Sequence, residues 1–359
     1  MKISSVKMRV FAACLAVFTM VGVLHSQPPK SVVLVISDGT GVSHLTALRY
    51  TDADFQFDRF PVTGLFTTHA LDRLVTDSAA GATAFATGHK TNNGMVSMLP
   101  DGTKPQTVLE HAEEQGMATG LVATSQITHA TPACFGAHVK ARKMEMEIAR
   151  QLSQKQIEVL FGGGQKFFLT NDEKGNLVEE MQKQGYSYAD SHEELESLDT
   201  ESTERAIALF AESGMEPAIE GRLPLELMTE KAVRLLEHDQ DGFFLMVEAS
   251  QVDWEGHGND TDGIVAEMGD MNRATKWLLD YQKNHPDVLV VWVSDHETGG
   301  FAIHGGSLEK KQIKGGFSTT HHTAQMIPAF AIGPGAERFA GVYDNTDIGL
   351  KLLDLISRQ

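Results

Sequence analysis

Short unbroken apolar runs alternate along this chain with segments whose apolar residues recur at helical spacing. The runs are Ser31–Ile36, Gly120–Ala123, Glu158–Phe161, Phe243–Val247 and Val288–Val293. Apolar runs this short, without polar alternation, suit strands buried on both faces of a parallel sheet. Between them the spacing predicts helices over Thr107–Gln115, Lys143–Gln154, Pro224–Glu237, Ile264–Asn284 and Thr346–Ser357. Strand and helix in alternation predict an α/β fold: a doubly wound, mostly parallel sheet with helices on both faces.

Two stretches depart from that rhythm. From Gln165 to Leu223 the chain is rich in Glu, Asp, Ser and Gln and shows no strong apolar strand. This segment, 165–223, reads as a surface insertion or cap on a single domain spanning 27–359. At the other end, Lys2, Lys7 and Arg9 precede an almost wholly apolar run from Val10 to Leu24. That run is shorter than the ~18 residues a bilayer span needs, and it ends in small and polar residues near Ser26. Residues 1–26 therefore read as a secretory signal peptide, giving an exported protein, periplasmic or secreted, with no stable membrane anchor.

Removing that leader takes Cys14 with it and leaves Cys134 as the sole cysteine. Export permits disulfides, but a single cysteine cannot form one within the chain, so the core must hold the fold. About 330 residues suffice for one large α/β domain. The formal net charge is −18, and losing three basic residues with the leader makes it more negative still. Such acidity argues against nucleic acid as a partner. An anionic substrate would need a strongly positive local site.

The strand ends offer one. Asp38 follows SVVLVIS, Glu248 follows FFLMV and Asp295 follows VLVVWVS. In open α/β sheets ligands bind at the carboxyl ends of the strands, so three carboxylates converge on the ligand-binding edge. Bringing them together is costly unless cations compensate. The stretch EASQVDWEGHGN adds Asp253 and His257 four residues apart, and Asp295–His296 follows another strand. A last imidazole comes from TTHHTAQ, where His321 and His322 compete. Mixed His and carboxylate ligands suit zinc, and a site of oxygens alone suits magnesium.

Ser78 in LVTDSAAGATAFATG precedes small residues with helix potential. A serine there can act as an N-cap, but a helix N-terminus is also where a phosphate binds well. The chain holds no GxSxG elbow, so metal coordination is the available route to an ionised hydroxyl.

Taken together, TDSAAGATA, ITHATP with downstream Arg142, EASQVDWEGH, SDHETGGF and HHTA resemble the alkaline phosphatase family. The likeness runs from about Ser31 to Gly333, and five ordered motifs make it specific. It implies that family's α/β fold, two zinc ions and one magnesium ion, small-molecule phosphate monoesters as substrates and a phosphoserine intermediate on Ser78. It implies Asp253, His257 and His322 for the first zinc, and Asp38, Asp295 and His296 for the second. Asp38 would bridge to magnesium with Thr131 and Glu248, and Arg142 would clamp the phosphate. Homodimers are common in the family.

The chain differs from the enteric bacterial members at His129, where they carry Asp, and at Trp254, where they carry Lys. Other bacterial members share this pair. His129 then acts behind the ligands of the third metal, and without a lysine the phosphate has one positive contact fewer. Two other readings compete: a phosphodiesterase or sulfatase-like hydrolase on the same scaffold, and a non-catalytic exported binding protein. Thr131, Glu248 and Arg142 favour monoesters.

Overall fold

The strand from Ser31 to Ser37 (β1) shows why the apolar runs are continuous. Val32, Leu34 and Ile36 enter one core and Val33 and Val35 the other. With period-2 geometry, a strand covered on both faces needs apolar residues at every position. The computed structural model describes residues 28–170 and 175–357, so the leader expected over 1–26 lies outside the described residues. The other strands are β2 Val62–Thr67, β3 Ala118–Gln126, β4 Val159–Gly163, β5 Ser187–Ala189, β6 Ala206–Leu209, β7 Phe243–Ala249 and β8 Val288–Val293. They are followed by β9 Glu297–Thr298, β10 Ala302–Ser307, β11 Gln312–Gly316, β12 His322–Thr323, β13 Ile327–Ile332 and β14 Gly341–Asp344.

Ten of these form one sheet in the order β14-β2-β13-β8-β1-β7-β3-β4-β6-β5. Within it β13 alone runs against the rest. The longer helices are α1 Val42–Thr51, α2 Ser78–Thr87, α3 Val108–Glu114, α4 Ala130–Gly136, α5 Glu145–Ser153, α6 Leu225–Leu236, α7 Gln251–Gly258, α8 Thr261–Asn284 and α9 Thr346–Ile356. Residues of α2, α3, α4, α5 and α9 pack into one core, and those of α1, α6, α7 and α8 into the other. The doubly wound α/β fold is as expected. No helix among the described residues is long and apolar enough to cross a membrane.

The five expected strands and five expected helices all form, with small shifts at their ends. The largest is at β3, which runs from Ala118 to Gln126; α8 begins early, at Thr261, because Asp260 accepts from the Asp262 and Gly263 amides. The segment 165–223 needs a correction. It contributes β5 and β6, which pair in parallel beyond β4 and complete that edge of the sheet. Its longest apolar run, Ala206 to Ala211, is six residues, of which only Ala206–Leu209 is strand. Acidic neighbours dilute so short a run. The strand β13 also escapes the pattern, because Pro328 normally marks an edge. Here β8 pairs only with Phe330–Ile332, so Pro328 faces a strand on one side alone.

At the carboxyl edge, Ile36 lies level with Glu248 and Val293, and Glu248 level with Ala123. The turn after β1 is tied to its neighbours: the Thr40 amide donates to Ser294 Oγ (2.9 Å) and the Thr298 amide to Gly39 O (3.0 Å). Gly39 has φ +75°, and a Cβ there would meet the Asp253 Cα at 2.6 Å. Only glycine combines that conformation with so close an approach. Gly39→Ala is therefore expected to cost about 2–4 kcal/mol in a urea titration. A loss below about 0.5 kcal/mol would show that β1 and α7 are not held this tightly.

Candidate metal and nucleophile site

Helix α2 determines what Ser78 is free to do. Its N-cap is Asp77, whose side chain accepts from the Ala80 amide at 3.0 Å. Ser78 is the first helical residue, so its hydroxyl is not needed for capping. Instead Ser78 Oγ lies 3.3 Å from His296 Nε2, with the residue 1% exposed. Asp77 also accepts from the Gly94 amide (3.0 Å) and from Arg142 Nη1 (3.1 Å). One carboxylate thus fixes both the helix start and the guanidinium beside it.

Among the described residues, three groups of side chains come close enough to hold a metal ion: Asp253, His257 and His322; Asp38, Asp253 and His296; and Asp38, His129 and Glu248. The first is the expected trio. His322 faces His257, Nε2 to Nε2 at 3.1 Å, and lies 3.4 Å from Asp253 Oδ1, whereas His321 is exposed. In the second, His296 Nε2 lies 3.5 Å from Asp38 Oδ1 and 3.2 Å from Asp295 Oδ2. The expected Asp38, Asp295 and His296 are together, and Asp253 stands between the first two groups. In the third, one His129 ring nitrogen lies within 4.8 Å of an Asp38 and a Glu248 oxygen. His129 Nε2 accepts from Arg142 Nη2 at 3.0 Å.

The residues fit metals. Both oxygens of Asp38, Asp295 Oδ2, Glu248 Oε1, Thr131 Oγ1 and His129 Nδ1 are buried without a hydrogen-bond partner among the described residues. Buried polar atoms normally have partners. The carboxylate and hydroxyl oxygens among these are acceptors that a cation satisfies, whereas His129 Nδ1 carries the ring hydrogen while Nε2 accepts from Arg142. The imidazoles are oriented for it too. His257 Nδ1 meets Thr320 O (2.6 Å), His322 Nδ1 meets Thr76 O (2.9 Å) and His296 Nδ1 meets Thr298 Oγ1 (3.3 Å). A ring that donates through Nδ1 keeps its Nε2 lone pair for a metal.

A family model described as alkaline phosphatase matches residues 29–313. The chain belongs to the alkaline phosphatase family. It is 36% identical to alkaline phosphatase 3 of Bacillus subtilis, over 89% of this chain and 87% of that relative. It is 30% identical to the alkaline phosphatase of Escherichia coli, over 90% and 85%. The solved alkaline phosphatase of the Antarctic bacterium TAB5 matches with a TM-score of 0.86 and 34% identity, covering 93% of this chain and all of that one. A mutant of the TAB5 protein is described with Mg bound in its M3 site. The chain is a metal-binding hydrolase, a phosphomonoesterase built on the alkaline phosphatase scaffold.

Trp254 stands edge-on to the His129 ring, with centroids 6.1 Å apart. Gly214 lies directly against it, since a Cβ there would meet the indole at 2.3 Å. The last part of 165–223 therefore backs α7, where Gln251 Nε2 also donates to Met215 O (2.8 Å). Sequence reasoning missed Asp77 and Thr298. Asp77 was legible as an N-cap in TDSAAG. Thr298, which donates to Asp253 Oδ1 at 2.5 Å, had no signal of its own in SDHETGGF.

Burial, together with neighbouring carboxylates, raises the Asp38 carboxyl well above its ordinary value. Burial likewise pushes Glu248 up to about 7 and Asp295 to about 6. For such groups the metal-free folded state holds protons that the unfolded chain has already released. Stability contributed by the protonated forms is then present below the ordinary carboxyl range and is lost as pH rises through about 6 to 7. Below the ordinary imidazole range the buried His44, His129 and His296, all held low, act in the opposite sense, so the comparison belongs above it. Chelated protein is expected to melt lower at pH 8.5 than at pH 7, and divalent metal should reverse the difference at pH 8.5. A metal-free melting temperature that rises over this range would contradict the assignment.

Proposed function

We propose that this chain hydrolyses phosphate monoesters to an alcohol and inorganic phosphate by way of a phosphoserine on Ser78. The observation that carries this reading is a serine hydroxyl released from capping by Asp77 and lying 3.3 Å from His296 Nε2 of the second ligand group. The ligand sets are Asp253, His257 and His322 for one zinc, Asp38, Asp295 and His296 for a second, and Asp38, Thr131 and Glu248 for magnesium. When bound, these cations would supply the positive charge that favours an ionised serine, an ionised water and a departing alkoxide.

The chain's own residues do the rest. Ser78 Oγ attacks phosphorus in line, and its position at the start of α2 sets the phosphate against free backbone amides. Arg142, held by Asp77, presents its planar fork to two phosphate oxygens. His129 holds the other side of that guanidinium, and Trp254 closes the wall beside it. Neither carries a fixed charge into the pocket in the resting state, since burial, followed by the Arg142 charge, holds His129 down to about 3. Water then attacks the phosphoserine from the side the alcohol left, and Ser78 is restored. Export through the 1–26 leader completes the reading.

The test is monoester hydrolysis after chelation, with zinc and magnesium restored separately and together. Full activity should need both metals. Ser78→Ala should keep its metals and lose about 10³-fold or more in kcat. Unchanged turnover in that variant would remove Ser78 from the mechanism. Faster hydrolysis of diesters or sulfate esters than of monoesters would overturn the substrate class.

A further inference from the structure

Of the three imidazoles in the two zinc groups, His257 and His322 are oriented by main-chain carbonyls. His296 is oriented by a side chain, the Thr298 hydroxyl. That hydroxyl has one proton to donate. Its nearer partner is Asp253 Oδ1 at 2.5 Å, and an ionised carboxylate only accepts. The Thr298 proton therefore goes to Asp253, and a lone pair of the same oxygen faces His296 Nδ1 at 3.3 Å. His296 must then carry its hydrogen on Nδ1. Its Nε2 lone pair is left facing Asp38, Asp295 and Ser78.

Thr298 is also held on both strands of a small ladder. It pairs with His322, and Glu297 pairs with Thr323, in the antiparallel contact of β9 with β12. Glu297 accepts from the Phe301 amide at 2.8 Å and from the Thr323 hydroxyl. The Thr298 methyl and Cβ lie against Gly256, at 3.0 Å from where a Cβ would stand. The residue is fully buried, so its hydroxyl has no water to turn toward.

We infer that Thr298 is a positioning residue that couples the two zinc groups, orienting an Asp253 oxygen and fixing the His296 tautomer through a single hydroxyl. The inference rests on the zinc assignment above. It makes zinc binding at the two groups interdependent through one oxygen atom.

The experiment is zinc uptake by the metal-free full chain, in competition with a chromogenic chelator at fixed pH, for wild type, Thr298→Val and Thr298→Ser. Val keeps the shape and methyl without the hydroxyl; Ser keeps the hydroxyl without the methyl. Thr298→Val should bind zinc about 10–100-fold more weakly, and Thr298→Ser should remain within about threefold of wild type. Should Thr298→Val lose its fold by circular dichroism, Thr298→Ala takes its place under the same criterion. Equal uptake by wild type and the hydroxyl-free variant overturns the inference and leaves the zinc assignment intact. Equal weakening of the Ser and hydroxyl-free variants also overturns it, because packing would then be the cause. Failure of wild type to take up zinc overturns the zinc assignment itself.

Discussion

Buried negative charge governs this protein's working edge. Asp38, Glu248 and Asp295 are fully buried at the ends of three parallel neighbours, with Asp253 joining them from α7. Carboxylates gathered in this way repel one another and lose their hydration, so unaided they hold their protons or force the edge apart. Metal cations remove that cost, and oxygens of Asp38, Asp295 and Glu248 are left buried without hydrogen-bond partners among the described residues. The turn after β1, stitched to Ser294 and Thr298, resists the separation that repulsion would otherwise produce.

Around this constraint, each neighbouring element has a limited task. Asp77 caps α2, and in doing so frees Ser78 and anchors Arg142. Main-chain carbonyls at Thr76 and Thr320 set two imidazoles, and the hydroxyl of Thr298 sets the third. These partners act through direction more than through strength. A hydrogen bond at Nδ1 contributes only about 1 kcal/mol to stability, yet it decides which nitrogen is available as a ligand. The result is a site organised by the fold, where bound cations would draw an anionic substrate to an acidic protein. Phosphomonoester hydrolysis in this family fits that arrangement, since phosphoryl transfer asks chiefly for position and charge.

The pair of His129 and Trp254 gives the surroundings of Arg142 a different character from one with a carboxylate and a lysine. His129 shares Arg142 with Asp77, and Trp254 rests on Gly214 from the segment 165–223. That segment therefore has a structural link to the pocket, in addition to completing the sheet through β5 and β6.

Much of this was legible in residue order alone. The unbroken apolar runs identified central strands because the middle of a doubly covered strand has no solvent face on which polar residues could alternate. The acids following them named the ligand edge, and TDSAAG, SDHETGG and HHT carried the candidate chemistry. What sequence could not determine was relative position. The antiparallel β13, and β5 and β6 within 165–223, depend on pairings between distant residues, which a local period does not record. His321 and His322 compete on residue type alone; the resemblance selects His322, and in the fold it is His322, paired in the β9–β12 ladder, that lies 3.4 Å from Asp253. The place of Asp253 between two groups, and the joint hold of Thr298 on Asp253 and His296, arise where three separate stretches meet. Residue types told which chemistry was available; tertiary packing decided which atoms face one another, because hydrogen-bond direction is set by geometry across the fold.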